Sequence, residues 1–390
     1  MRTVLIADQI SNGCAAMPHE PVAAPVIAIE DGVISEVSAR AEFTMRPGDE
    51  VLDFPGCTLL PAFFDVHIHG CAGHDVMEGT AASFETVGRF LATHGVGAFL
   101  ATTVTASMDD TLRALGEMAQ LMARPTEGTR AVGIHLEGPF LSHVKRGVHP
   151  PELLQAPSVE KFDRLWQASE GHIRLMTIAP ELPEAAEVIA RAVSVGVRVS
   201  LGHSDATAAQ TRTGIDAGAT SATHTFNAMR ALNHRESGIA GVVLDDDSLF
   251  AEIICDGLHV APEMVRLFWN AKGPERAMLV TDAMSATGMP DGVYKLGGLD
   301  VEVSGGVCRL DGALAGSTLT MDRAIRNFRE FTGASLETVG TLAARNPARM
   351  TGLDDRIGSI AVGRDADVVV LSDGGEVVAT LVNGRIAFRA

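Results

Sequence analysis

Between residues 58 and 282 the chain alternates short β-type runs with stretches of helical pattern, and no other feature restricts its fold as much. The β-runs occupy 58–67, 98–104, 131–137, 173–179, 197–203, 219–224, 251–256 and 278–282. Helical patterns lie between most of them, at 83–93, 109–122, 184–195, 206–217 and 262–271. Asp109, Ser204 and the pair Ala261-Pro262 stand where helices begin, and Gly95, Gly196 and Gly218 lie just past helix ends. Strand–helix alternation implies right-handed crossovers and a parallel sheet. Eight such strands close a (β/α)8, TIM-like barrel, so the chain reads as an α/β protein built on one.

The flanks read differently. Residues 26–29 and 33–35 surround Glu30-Asp31-Gly32, a hairpin signal. Runs at 366–371, 379–382 and 386–388, the last two around Asn383-Gly384, repeat it at the other end. Neither end is long enough for a sandwich of its own. The two are therefore expected to pair into one small β-sandwich domain, 1–60 with 355–390, beside a barrel domain of 61–354. A strand-rich stretch at 292–310, with Gly-Gly turns at 297–298 and 305–306, reads as a β-insert after the eighth strand. Helices at 320–331 and 336–345 then close the side of the barrel.

Charge removes whole classes of partner. Of 390 residues, 31 are Lys or Arg and 49 are Asp or Glu, a formal net charge of −18. An extended phosphate backbone needs clustered cations, so no nucleic acid is expected, and an anionic membrane is disfavoured for the same reason. A small anion needs only one or two local cations. The five cysteines (Cys14, Cys57, Cys71, Cys255, Cys308) are odd in number and lack C-x-x-C spacing, as reduced thiols of a cytosolic protein would be. The apolar run at the N-terminus is too short for a signal peptide, and no window approaches the ~20 apolar residues of a membrane span. A soluble, cytoplasmic protein with no membrane partner is expected.

Reactive groups of such a barrel sit at the C-terminal ends of its strands. Those ends carry His67 and His69, His135 and Glu137, His203, His224, Asp256 with His259, and Asp282. Residues i and i+2 of a strand share a side, so His67 with His69, and His135 with Glu137, can face the barrel axis together. Each has a plain structural reading, since a lone strand-end histidine is more often structural than a ligand. Convergence on one mouth changes the balance, and imidazoles mixed with carboxylates suit Zn²⁺ or Fe²⁺. By contrast His19, His94 and His234 fall where solvated or capping residues do. His74, His143 and His172 are undecided, with the structural reading favoured.

The same segments carry a resemblance. DVHIHG (65–70), HLEGPF (135–140), LGHS (201–204), THTFNAM (223–229), CDGLHV (255–260), VTDAM (280–284) and GSTLTMD (316–322) resemble the N-acetylglucosamine-6-phosphate deacetylase family of the amidohydrolase superfamily. GRDADVVVL (363–371) and VNGR (382–385) extend the likeness to nearly the whole chain. One departure is Leu60-Pro61-Ala62-Phe63-Phe64, where Pro-Gly is more usual.

By this resemblance Glu137, His203 and His224 are ligands of the main metal. His67 and His69 match a pair that completes a second site in some members, so one or two divalent ions per subunit are both open. The barrel strands contain no Lys to serve as a carboxylated bridge, which leaves Glu137 for that role. Asp282 matches the catalytic acid–base, and His149 a group that polarises the acetyl carbonyl and stabilises the oxyanion. Asn227 and Ala228 match backbone donors to the sugar phosphate, His259 a substrate contact, and Arg235 a phosphate clamp whose planar fork suits two phosphate oxygens. In the family that arginine reaches in from a neighbouring subunit, which implies a homodimer.

The resemblance thus implies hydrolysis of the acetamide of a small-molecule amino-sugar phosphate, N-acetyl-D-glucosamine 6-phosphate, to D-glucosamine 6-phosphate and acetate. The galactosamine epimer is the nearest alternative, because one hydroxyl orientation separates the two. An amidohydrolase acting on a cyclic amide, or a deaminase, is opposed by the missing Lys and by the carboxylate of HLEGPF. A non-catalytic sugar-phosphate binder is opposed by Asp282 standing with the full ligand set.

Overall fold

The barrel is formed by eight parallel strands: Phe63–Ile68, Val96–Thr102, Arg130–Glu137, Ile173–Ile178, Arg198–Leu201, Ser221–Ala222, Phe250–Ile254 and Ala277–Val280. They are seen in a computed structural model that describes residues 2–11, 24–124 and 126–390; Cys14 and His19 lie outside these. The second strand, VGAFLAT, is buried at all seven positions. Such a continuous apolar run is what a strand needs when helices cover one face and the barrel core fills the other. The eighth strand meets the first through the Ile68–Ala283 bridge, the Asp282 N–H on the His67 carbonyl (2.9 Å) and the His69 N–H on the Ala283 carbonyl (2.8 Å).

Five expected runs end two residues sooner than the sequence pattern suggests; one, 98–104, stops at Thr102, and the other four carry expected site residues. These four stop at Leu201, Ala222, Ile254 and Val280, so His203, His224, Asp256 and Asp282 sit in the turns beyond. Three of these turn residues have positive φ: His203 (47°), His224 (28°) and Asp282 (51°). Left-handed backbone is costly for a residue with a Cβ and persists where surrounding structure enforces it, often at functional sites. Here it turns the chain out of the sheet at the residue whose side chain enters the mouth.

The first expected run, 58–67, is really two elements. Its first part belongs to the long strand Glu50–Pro61, and the barrel strand begins at Phe63. Glu50–Pro61 pairs in parallel with Thr3–Ile10 and antiparallel with Val368–Ser372, so it joins the two ends of the chain. The resulting seven-stranded sheet runs, in spatial order, Arg385–Arg389, Val377–Val382, Val368–Ser372, Glu50–Pro61, Thr3–Ile10, Pro25–Glu30, Val33–Ala39. It is sandwich-like, closed over one apolar cluster that includes Leu5, Ile27, Phe54, Leu59, Val368 and Leu381. Ion pairs from Arg130 at the base of the third barrel strand to Asp365 and Asp367 tie this sheet to the barrel, as does the bond from the Thr380 hydroxyl to the Ala92 carbonyl (2.7 Å).

The β-insert is an antiparallel meander of Gly292–Leu296, Leu299–Ser304, Val307–Leu310 and Ala313–Leu314. Two helices lie outside the expected set, Val159–Ala168 and Gly238–Asp245; the first does carry an amphipathic pattern, with Phe162 and Leu165 on its buried face. The second reads GIAGVVLD, with no polar stripe to set against its apolar residues, so it carries no amphipathic signal. The expected 336–345 helix is longer than its pattern: Leu336–Gly340 passes through a π-type turn, Thr341–Arg345, into Asn346–Thr351. No helix among the described residues is long and apolar enough to cross a membrane.

The unusual Ala62 has a structural counterpart. It sits buried between the two sheets, donating its N–H to the Asp367 carbonyl (3.0 Å), and the neighbouring barrel strand carries Gly97 beside it. A Cβ placed on Gly97 would lie 2.6 Å from the Ala62 Cβ. The missing methyl on one strand makes room for the extra one on the other. Gly97→Ala is expected to lower stability by about 1–3 kcal/mol through overpacking, and Ala62→Gly in the same chain to recover much of the loss. Thermal unfolding of the two single variants and the double variant checks this; equal losses with and without Ala62→Gly would refute the pairing.

Candidate active site

At the barrel mouth one carboxylate gathers the strand ends. Glu137, the last residue of the third strand, is 2% exposed. Its Oε1 lies 3.2 Å from His203 Nε2 and 3.3 Å from His224 Nε2. Its Oε2 lies 3.3 Å from His69 Nε2 and 3.5 Å from His67 Nε2. Asp282 Oδ1 closes the second side, 3.2 Å from His69 Nε2 and 3.4 Å from His67 Nε2. Two groups of potential ligands result, Glu137–His203–His224 and His67–His69–Asp282, each buried. Asp282, expected as the acid–base, is thus also a third donor to the H-x-H pair.

Hydrogen bonds at the far ring nitrogens of His203, His69 and His67 leave their Nε2 atoms facing the carboxylates. His203 Nδ1 donates to the Lys145 carbonyl (3.0 Å) and His69 Nδ1 to the Thr102 carbonyl (3.2 Å), since a carbonyl can only accept. His67 Nδ1 faces Glu252 Oε2 at 3.0 Å. Each ring then presents an Nε2 lone pair toward carboxylate oxygens, and His203 Nε2 also stands 3.0 Å from His224 Nε2. Lone pairs crowded on one point repel unless a proton or a cation lies among them. The donor set, neutral imidazole with carboxylate and outer hydrogen bonds holding the rings, fits a divalent metal.

Electrostatics point the same way. Burial opposes the charge on Glu137, yet the neighbouring rings of His67, His203 and His224 hold its carboxyl well below the usual range. Asp282 is likewise held low against its burial, by His67 and His69. Against burial, the carboxylates of Asp282 and Glu137 push His69 up to about 9. A site that binds a proton this avidly on its nitrogens is one that a cation can take over.

His149 is held differently. The Thr105 N–H donates to its Nδ1 (3.2 Å), so Nδ1 is the acceptor and the proton sits on Nε2, which lies 3.9 Å from Glu137 Oε2. Burial, with His203 nearby, pushes its pKa down to about 3 and keeps the ring neutral. It is a poised N–H donor at the mouth. Gly147, at φ 59°, lets its loop close on His203, because a Cβ there would meet the ring at 3.2 Å.

The remaining expected residues divide. His259 Nδ1 lies 2.6 Å from Asp256 Oδ2; burial opposes its charge, but the Asp256 carboxylate raises its pKa. The Asn227 N–H is engaged by the His224 carbonyl (3.0 Å), whereas the Ala228 N–H has no partner among the described residues. Of the two expected backbone donors, only Ala228 is free. Arg235 is not brought to the cluster: it is exposed on the stretch 231–236, and among the described residues only its backbone N–H is engaged, on Asn233 Oδ1 (2.9 Å). His135 lies deeper than its partner Glu137. It bonds Thr177 Oγ1 at 2.7 Å, and burial keeps it neutral beside His67, outside both ligand groups. His94 is the C-cap of helix Ala81–Thr93, bonded to Asp322 (3.0 Å), as a capping residue should be.

Glu252, in the middle of the seventh strand, was not singled out by the sequence pattern, yet it touches the cluster. The available signal was a single charge inside the run Phe-Ala-Glu-Ile-Ile, where every neighbour is apolar.

Comparison with known proteins agrees with this geometry. Residues 58–387 match the Amidohydrolase family. The chain is 38% identical over 367 residues to the N-acetylglucosamine-6-phosphate deacetylase of Bacillus subtilis, covering 93% of this chain and 92% of that one. It is 39% identical over 360 residues to the N-acetylgalactosamine-6-phosphate deacetylase of Escherichia coli O157:H7, covering 92% and 93%. Among solved structures it superposes, with a TM-score of 0.91 and 36% identity over 99% of both chains, on the N-acetyl-D-glucosamine-6-phosphate deacetylase of Mycobacterium smegmatis, an aspartate-to-alanine variant in complex with N-acetyl-D-glucosamine-6-phosphate. The chain belongs to the amidohydrolase family, and within it to the group formed by the N-acetylglucosamine-6-phosphate deacetylases and their galactosamine counterparts.

Proposed function

We propose that the protein hydrolyses the acetamide of N-acetyl-D-glucosamine 6-phosphate, releasing acetate and D-glucosamine 6-phosphate. The observation that carries this reading is Glu137 lying between two groups of bare imidazole nitrogens, with Asp282 completing the second. Glu137, His203 and His224 would hold the main ion; His67, His69 and Asp282, sharing Glu137, would hold a second. Nitrogen and oxygen donors of this kind suit Zn²⁺ or Fe²⁺. A divalent cation supplies Lewis acidity there, lowering the pKa of water from ~15.7 toward ~7 and polarising an amide carbonyl.

The chain's own groups handle protons and charge. Asp282, ionised against its burial, accepts the proton of the attacking water and returns it to the leaving amine nitrogen. The His149 Nε2–H donates to the oxygen that becomes negative as the carbonyl turns tetrahedral. The Ala228 N–H and the His259 ring offer contacts to the substrate, with Arg235 of a second subunit clamping the phosphate in a homodimer. Exposure of Arg235 without a side-chain partner, next to the 47%-exposed Leu232, supports a role outside its own subunit. Four buried, unpaired cysteines, Cys57, Cys71, Cys255 and Cys308, fit a reducing cytoplasmic compartment.

Dialysis against a chelator should abolish acetate release from N-acetyl-D-glucosamine 6-phosphate, and Zn²⁺ or Fe²⁺ should restore it. In the restored enzyme kcat/KM should favour this sugar over the galacto epimer; a clear galacto preference would replace the substrate. Asp282→Asn should cut kcat by about 10²–10⁴-fold while the Glu137–His203–His224 group keeps its ion, as metal analysis would read. Arg235→Ala should raise KM far more than it lowers kcat. Mixing that variant with Asp282→Asn should regain low-KM turnover, because a hybrid dimer contains one intact composite site; no recovery after subunit exchange would rule out the clamp across subunits.

A further inference from the structure

We propose that Glu252 is the positioning residue that sets the cation affinity of the His67–His69–Asp282 group, acting through the His67 ring. The inference rests on the metal-dependent reading only in taking that group to bind a cation. Glu252 is fully buried, and its Oε2 is bonded at two points, to His67 Nδ1 (3.0 Å) and to the His224 N–H (3.1 Å). Among the described residues its Oε1 has no hydrogen-bond partner. No Lys or Arg pairs with it among the described residues. A carboxylate taken out of water without a full-charge partner is costly to bury, so its place in the barrel core needs positive charge nearby, on the His67 ring or on a cation that the ring holds.

The His67 ring passes that demand on. With Nδ1–H committed to Glu252, Nε2 is the nitrogen that faces Glu137 (3.5 Å) and Asp282 (3.4 Å), and it has no hydrogen bond of its own. The carboxylate also makes the ring a better electron donor at Nε2, which strengthens a metal–nitrogen bond. The other rings lack this support: His69 and His203 donate to neutral backbone carbonyls, and His224 Nδ1 has no partner. Glu252 therefore distinguishes the two groups. It meets His224 only at the backbone, so the Glu137–His203–His224 group keeps its own side-chain geometry without it.

The experiment is a chelator-buffered titration of the metal-free protein with Zn²⁺, read as ion equivalents bound, with acetate release measured separately. Wild type should bind two ions in resolvable steps. Glu252→Gln, which keeps the shape and loses the charge, should weaken one step by about 10–100-fold and leave the other unchanged. The retained step also shows that the variant is folded. His67→Asn should weaken the same step, and adding Glu252→Gln to it should cost nothing further, because both act through one ring. Equal weakening of both steps, no weakening, additive losses in the double variant, or one ion in wild type would each overturn the proposal. Absence of acetate release in a wild type that binds two ions would instead count against the substrate reading alone.

Discussion

A carboxylate held out of water at the mouth of a closed barrel is the constraint around which this molecule is organised. Glu137 is buried at the end of the third strand, and a charge there must be met by opposite charge or by donors. Its neighbours in sequence cannot provide them. The first, fifth, sixth and eighth strands must all end at the same height, so that His67, His69, His203, His224 and Asp282 reach one point. Barrel closure and site assembly are one event, since the Asp282 N–H completes the seam on the His67 carbonyl.

The backbone bears part of the cost. His203, His224 and Asp282 occupy left-handed conformations two residues past their strands, and packing of the turns holds them there. Glycines appear where the loops press closest, as at Gly147 against His203. The terminal sheet sits at the other end of this arrangement. Arg130 and Ala62 couple it to the bases of the barrel strands, away from the chemistry, so it supports the scaffold and, among the described residues, adds no group to the cluster.

Much of the site was legible because it follows from periodicity. Alternation of strand and helix located the eight strands, with their ends to within two residues, and the i, i+2 rule put His67 with His69 on the axis. That rule also paired His135 with Glu137, and there it reached its limit. Both residues do face inward, but one strand residue pair spans two depths of the barrel, and only Glu137 reaches the mouth. The helix Gly238–Asp245 escaped notice for a related reason: a segment apolar nearly all round has no polar face to mark its period.

The amino-acid sequence by itself determined the fold class, the pairing of the two chain ends, and the ligand types that a metal would meet. Those depend on local pattern and on residue chemistry, which a linear string contains. Tertiary structure alone decided that Asp282 joins the H-x-H pair, that Asn227 spends its N–H on His224, that His149 carries its proton on Nε2, and that Glu252 backs His67. Each of these depends on the stagger between strands far apart in the chain. Stagger is set by the packing of the whole barrel, and no window of sequence records it.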